Sequence, residues 1–173
     1  GVSENSTTET LASIKLSIDR REWFNVPIII ETGKRLEQSK TMVDIEFKKM
    51  PSQDPEVASN HLIFEMKPSE KLSLKLIQQR NSKNKEANRD FEHILLEQGL
   101  MCQTEFCLND YASLLNDVFK GEKIYFLSYP EIIAAWKVID AVEKLSVQEN
   151  LKPIIYEEGS TRDSIDQKVP GRK

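Results

Sequence analysis

The stretch HLIFEMKPSEKLSLKL, residues 61–76, decides the fold. Leu62, Phe64 and Met66 alternate with Ile63 and Glu65, and after Pro68-Ser69-Glu70-Lys71 the alternation resumes at Leu72, Leu74 and Leu76. Side chains of a strand point to opposite faces in turn, so a period of two on both sides of a short polar turn predicts a β-hairpin. Working outward, Val43, Ile45 and Phe47 repeat the pattern upstream, separated by Asp44 and Glu46. Downstream, FEHILLE (91–97) and MCQTEFC (101–107) predict further strands. Pro27-Ile28-Ile29-Ile30 reads as a short buried strand that Gly33 breaks. The stretches 50–60 and 79–90 are polar and read as surface loops.

Helical spacing brackets this β-rich centre. Ser6-Thr7-Thr8-Glu9 has the form of a capping box, and Leu11, Ile14 and Ile18, widened by Ala12 and Leu16, predict a helix over 7–20. Asn109-Asp110 opens a second helix carrying Tyr111, Leu114, Leu115 and Val118 on one face, with Gly121 as its stop. Ser128-Tyr129-Pro130-Glu131 joins a capping box to a first-turn proline. Its helix runs to about Ser146 and directs Ile132, Ala135, Trp136, Ile139 and Val142 inward. Lys152–Tyr156 is extended, and residues 157–173 form a polar, loosely held tail. The expectation is an α+β fold: one large, mostly antiparallel sheet with helices packed on one face, forming a domain over 1–156.

Composition removes whole classes of function. The 173 residues suffice for one domain with a sizeable core. A net charge of −4 argues against a dedicated nucleic-acid binder, and no apolar run is long enough for a membrane helix. The six glycines are scattered, so no GxGxxG or Walker loop exists to cradle phosphates. Two histidines and two cysteines exclude zinc sites of the usual Cys/His spacing. His61 and His93 lie at a strand start and inside a strand, where packing or solvent exposure is the ordinary role. Cys102 and Cys107 read as a reduced, non-ligand pair in a cytoplasmic protein. Glu157-Glu158 and Asp163/Asp166 read as solvated charges, and Lys83, Lys85 and Arg89 lack the interleaved aromatics of an RNA patch.

Ser6-Thr7-Thr8-Glu9-Thr10, Trp23 followed by Val26-Pro27, and Thr32-Gly33-Lys34-Arg35-Leu36 stand in the same order as their counterparts in a known family. So do Asp110-Tyr111 with Leu114, Leu115, Asp117-Val118 and Gly121, then Ala135-Trp136-Lys137-Val138-Ile139-Asp140, then Gly159-Ser160. Over nearly its whole length the chain resembles the glucose-6-phosphate dehydrogenase family, specifically its C-terminal β+α domain. That resemblance implies an N-terminal dinucleotide-binding domain carrying the glycine loop, the NADP and the catalytic histidine. The present chain would then be the C-terminal portion, inactive by itself, with no catalytic residue and no cofactor of its own. The resemblance also implies a cytoplasmic enzyme that dimerises through its sheet. Strands apolar on both faces, such as Ile28–Ile30 and Ile63 beside Phe64, fit a sheet covered on each side.

Two substrate-binding residues follow from the resemblance. Lys34 matches the family lysine that reaches the sugar of glucose 6-phosphate, a task suited to an ammonium with three donors and a positive field. A second basic position of the family falls at Ser39, and Lys40 beside it is the candidate replacement. Glu31 and Glu65 stand where members carry arginine, and Glu65 faces the position of a second, structural NADP. A carboxylate there repels a polyanion, so no such site is expected, although Lys75 matches one of its basic positions. The rival reading is a free-standing, non-catalytic oligomerisation or regulatory domain related to the enzyme. A generic carbohydrate-binding domain lacks a clustered aromatic platform.

Overall fold

The structure is a computed structural model that describes residues 6, 8–49, 58–79, 91–100 and 110–168. It divides into two units, residues 1–38 with 108–173, and residues 39–107.

In the first unit, β1 (Leu11–Leu16) pairs antiparallel with β2 (Ile28–Gly33). The segment expected to be a helix over 7–20 is therefore a strand across Leu11–Leu16, and the correction has a physical cause. LASIKL carries a period of two (Ala12, Ile14, Leu16) as well as a helical period, and tertiary pairing decides between them. As a strand, Ile14 lies opposite Ile30 and Leu16 opposite Ile28, which gives cross-strand apolar pairs. The Ser6 hydroxyl accepts from the Thr8 amide at 3.3 Å, a local turn in place of a helix cap.

Helices complete this unit. Helix α1 (Asp110–Lys120) ends at Gly121, whose φ of 72° lets its N–H reach the Val118 carbonyl while Glu122 N–H reaches Asp117. Helix α2 (Tyr129–Gln148) starts as expected: the Glu131 carboxylate accepts from both the amide and the hydroxyl of Ser128, at 2.7 and 2.6 Å. It ends with Asn150 at φ 50°, and the Leu151 amide bonds the Ser146 carbonyl. None of its residues is buried. The set expected inward is open: Trp136 is 60% exposed and Ile132 and Ile139 are each 39% exposed. The spacing defines an apolar face correctly, but a face needs an opposing surface before it becomes a core.

The polar stretch from 157 onward, expected to be loose, instead contains the short helix α3 (Arg162–Asp166). Thr161 caps it by accepting from the Ser164 amide at 3.2 Å, and Ile165 is the buried apolar residue among those described.

The second unit is the antiparallel sheet β3-β4-β5-β6, formed by Thr41–Glu46, His61–Lys67, Lys71–Gln79 and Phe91–Gly99. The expected hairpin is β4-β5, with Phe64 opposite Leu72 and Leu62 opposite Leu74. One face carries Val43, Ile45, Phe64, Leu72, Leu74 and Leu96, while Asp44, His61, Glu65, Lys71, Ser73 and Glu97 lie on the other. Among the described residues of this unit the buried side chains are Ser59, Glu65 and Ser73, whereas Val43, Ile45 and Leu96 are about half exposed or nearly so. The α+β class and antiparallel pairing are as expected; the described strands hydrogen-bond in two sheets where one was expected. The expected strand at 101–107 and the loops at 50–57 and 80–90 lie outside the described residues.

Candidate functional site

Lys34 lies in the turn that follows β2. Gly33 closes that strand opposite Leu11, and two leucine side chains crowd the space a Cβ would take. A Cβ there would sit 2.9 Å from Leu36 Cδ1 and 3.1 Å from Leu11 Cδ1, inside ordinary carbon–carbon contact. Arg35 then takes a left-handed conformation, φ 52°, which is costly for a residue with a side chain. Such a conformation persists only where its surroundings enforce it.

Those surroundings come from both ends of the unit. The Lys34 amide donates to the Thr10 carbonyl at 2.8 Å, and the Lys34 carbonyl accepts from the Tyr156 hydroxyl at 2.8 Å. The same hydroxyl lies 3.0 Å from Thr10 Oγ1 and 3.2 Å from the Thr10 carbonyl. Gly159 N–H donates to the Arg35 carbonyl at 2.9 Å, and Glu37 N–H to the Ser160 carbonyl at 3.2 Å. At roughly 1 kcal/mol each, these bonds together outweigh the roughly 1–3 kcal/mol cost of the left-handed residue. The Arg35–Glu158 ion pair at 2.9 Å adds little, because both side chains are more than 70% exposed. Arg162 pairs with Glu31 at 3.1 Å, and the Ser13 hydroxyl donates to Glu31 at 2.9 Å. The outcome is a fixed turn that carries the exposed Lys34 side chain.

Tyr156, Glu158, Gly159 and Ser160 were not readable as parts of this turn from the sequence. More than 120 residues separate Tyr156 from Lys34, and the only available signal was the Gly159-Ser160 pair in the family pattern. Glu158 and Asp166, expected to be plain solvated acids, pair with Arg35 and Arg162.

Lys40 belongs to the second unit, just before β3. The register between β3 and β4 shifts at Thr41/Met42, and the Lys40 ammonium lies 3.4 Å from Glu65. Glu65 is 7% exposed. The Ser69 hydroxyl above all, and then Lys40, hold its carboxyl below the ordinary carboxylate range against the opposing effect of burial. Beside it Lys71 bonds Glu97 at 2.7 Å, which raises the Lys71 pKa and lowers that of Glu97, with Ser73 also donating to Glu97. His61 Nδ1 lies 2.9 Å from Asp44 Oδ1, so this histidine has a carboxylate partner that the sequence did not reveal. His93 lies opposite Ile77 in the β5-β6 ladder, and Cys102 and Cys107 are outside the described residues.

Among the described residues, no group of three or more His, Cys, Asp or Glu could hold a metal ion, and no helix is long and apolar enough to cross a membrane. Among the described residues, Gly121 ends a helix, Gly159 lies in a turn and Gly33 faces leucines at the end of β2, so none of these three sits in a strand-to-helix loop of the kind that cradles phosphates.

The described residues thus form an α+β arrangement in which a braced turn carries the basic Lys34. The chain belongs to the glucose-6-phosphate dehydrogenase C-terminal domain family, whose model matches residues 1–169. It is 31% identical over 169 residues to glucose-6-phosphate 1-dehydrogenase of Dictyostelium discoideum, covering 92% of this chain and 32% of that protein. The Bacillus subtilis enzyme of the same name is 29% identical over 166 residues, covering 92% and 33%. This chain thus spans about a third of the length of these relatives. A solved glucose-6-phosphate dehydrogenase in complex with its substrate glucose-6-phosphate superposes with a TM-score of 0.76 at 23% identity, covering 99% of this chain and 36% of that one. The Mycobacterium avium glucose-6-phosphate 1-dehydrogenase gives 0.71 at 24% identity, covering 100% and 36%. These two similarities show the fold.

Proposed function

We propose that this chain is the substrate-side and dimerisation domain of an NADP-dependent glucose-6-phosphate dehydrogenase of the cytoplasm. The parent reaction is oxidation of glucose 6-phosphate at C1 to 6-phosphogluconolactone, with NADP as hydride acceptor. The nucleotide site and the catalytic base belong to an N-terminal dinucleotide-binding domain. This chain contributes Lys34, whose ammonium donates hydrogen bonds to the sugar phosphate and adds positive field without moving a proton. The braced turn around Lys34 is the observation that carries this reading, because a fixed backbone lowers the ordering cost of binding. Lys40 is the second proposed contact. Its ammonium faces Glu65, so a phosphate or hydroxyl would compete with that carboxylate for it.

The open apolar side chains support the partner assignment. Val43, Ile45, Phe64 and Leu96 share one face of the four-stranded sheet, and an apolar face of that kind is completed by another protein surface. We assign that role to a second copy of the chain and to the N-terminal domain. The isolated chain is then catalytically inactive and self-associates.

Kinetics of Lys34→Ala in the enzyme that carries this chain test the substrate role. The expected result is a rise of about tenfold or more in KM for glucose 6-phosphate, as for loss of a charged hydrogen bond. An unchanged KM would remove Lys34 from the pocket. The second reading, a non-catalytic oligomerisation or regulatory module, is favoured by the pairing of Lys40 with Glu65. Mixing the chain with a separately expressed N-terminal half discriminates the two, since activity appears only on the first reading.

A further inference from the structure

We infer that Tyr156 is a positioning residue for Lys34, a latch that acts only through its hydroxyl. The inference rests on the substrate role proposed for Lys34. Its own support is the geometry at one oxygen atom. The Tyr156 Oη lies 2.8 Å from the Lys34 carbonyl, 3.2 Å from the Thr10 carbonyl and 3.0 Å from Thr10 Oγ1. A phenol has one proton to donate, and the shorter, stronger bond goes to Lys34. Its oxygen can then accept from the Thr10 hydroxyl, which fixes the direction of the donated proton. The Thr10 carbonyl meanwhile accepts from the Lys34 amide at 2.8 Å. Both polar groups of the Lys34 main chain are therefore tied, one to the residue that precedes β1 and one to the segment that leads to α3.

Two further facts separate a latch from general packing. The next residue, Arg35, is left-handed, so the turn stores backbone strain that the hydroxyl helps to hold. Tyr156 is also only half-buried, so its ring is not a core element whose loss would empty the fold. Exchanging Tyr156 for Phe removes one atom and leaves the Lys34 carbonyl without its donor. The lysine then samples more orientations, and part of its pre-organisation is lost on binding.

The test is a double-mutant cycle in the enzyme that carries this chain, with Tyr156→Phe, Lys34→Ala and both together. Tyr156→Phe is expected to raise KM for glucose 6-phosphate about fivefold, the equivalent of one neutral hydrogen bond, with kcat and KM for NADP unchanged. In the Lys34→Ala background the same substitution is expected to change nothing further. An equal effect of Tyr156→Phe with and without Lys34 would overturn the latch, because that is the behaviour of a merely structural residue. No effect of Tyr156→Phe where Lys34→Ala is strongly impaired would also overturn it while leaving the substrate role intact. No effect of Lys34→Ala overturns the substrate role itself, and the latch with it. Thr10→Val, which removes only the donor to the phenol oxygen, is expected to shift KM in the same direction by a smaller factor, and it serves if the tyrosine variant fails to fold. An unchanged KM in Thr10→Val would overturn the assignment of the donor hydroxyl where Tyr156→Phe is impaired, and the latch itself where Tyr156→Phe does not fold.

Discussion

Replacing Gly33 with valine is the most direct perturbation of the turn. Glycine at the end of β2 has a φ outside the left-handed region, so the objection to a side chain is purely spatial. The added Cβ would stand 2.9 Å from Leu36 Cδ1, 3.1 Å from Leu11 Cδ1 and 3.3 Å from Leu11 Cγ. Carbon atoms pack at about 3.5–4.0 Å, so Leu36 must retreat by roughly half an ångström or more. The far end of Leu36 can rotate, but Leu11 Cγ sits one bond from its own Cβ, in a strand paired to this one. Overpacking of this kind costs about 1–3 kcal/mol, with alanine at the low end and branched valine at the high end. The intrinsic gain from removing glycine in a strand, about 0.5–1 kcal/mol, offsets only part of it. Native-state hydrogen exchange at the Lys34 amide reads the effect locally, because that N–H donates across to Thr10. Gly33→Val is expected to speed its exchange by a factor between about 5 and 100, and Gly33→Ala by less. Gly99→Ala is the control: nothing lies within 4 Å of its would-be Cβ, and the amide of Lys34 should exchange as before. Identical protection in Gly33→Val and the unmodified chain would refute the steric account of this turn.

Other outcomes follow from the same geometry. Ser128→Ala removes the hydroxyl and weakens the α2 cap, at a cost of about 1 kcal/mol in a denaturation midpoint; no change would remove the capping role. Hydrogen bonds, from the Ser128 hydroxyl and then its amide, hold Glu131 below its ordinary value of 4.5, and Glu65 and Glu97 are likewise lowered. Their stabilising contribution is complete above that ordinary value and is lost as pH falls through each lowered value, while that of Lys71, raised above 10.5, is lost as pH climbs through its raised value. A pH series of urea midpoints that rose on acidification below the carboxylate range would contradict these signs. Sedimentation of the isolated chain is expected to show dimers at high concentration, and a strictly monomeric profile would argue against the open apolar faces as an interface. Lys40→Ala is expected to raise KM for glucose 6-phosphate; an unchanged value would leave Lys40 as the partner of Glu65 alone.

What the sequence revealed tracks where the determining forces lie. The β4-β5 hairpin was legible because its alternation and its turn are local, and so was the start of α2, where Ser128 and Glu131 meet within one turn. Leu11–Leu16 was misread because two periods coexist there and the choice is made by Ile28 and Ile30, which lie across the ladder. Lys34 is singled out by the family pattern alone, whereas the turn that holds it depends on Tyr156 and Gly159, brought in from the far end of the chain. The burial of Glu65 and Ser73 beneath charged neighbours, on a sheet whose apolar face stays open, has no signature in alternation, which marks faces without saying which one is covered.

Reduction of NADP in the presence of glucose 6-phosphate measures whether this chain, as proposed, completes a glucose-6-phosphate dehydrogenase. The chain joined to its dinucleotide-binding half is expected to form NADPH with that sugar phosphate, and the chain alone to form none. NADPH formation by the chain alone, or none by the joined protein, would contradict the account.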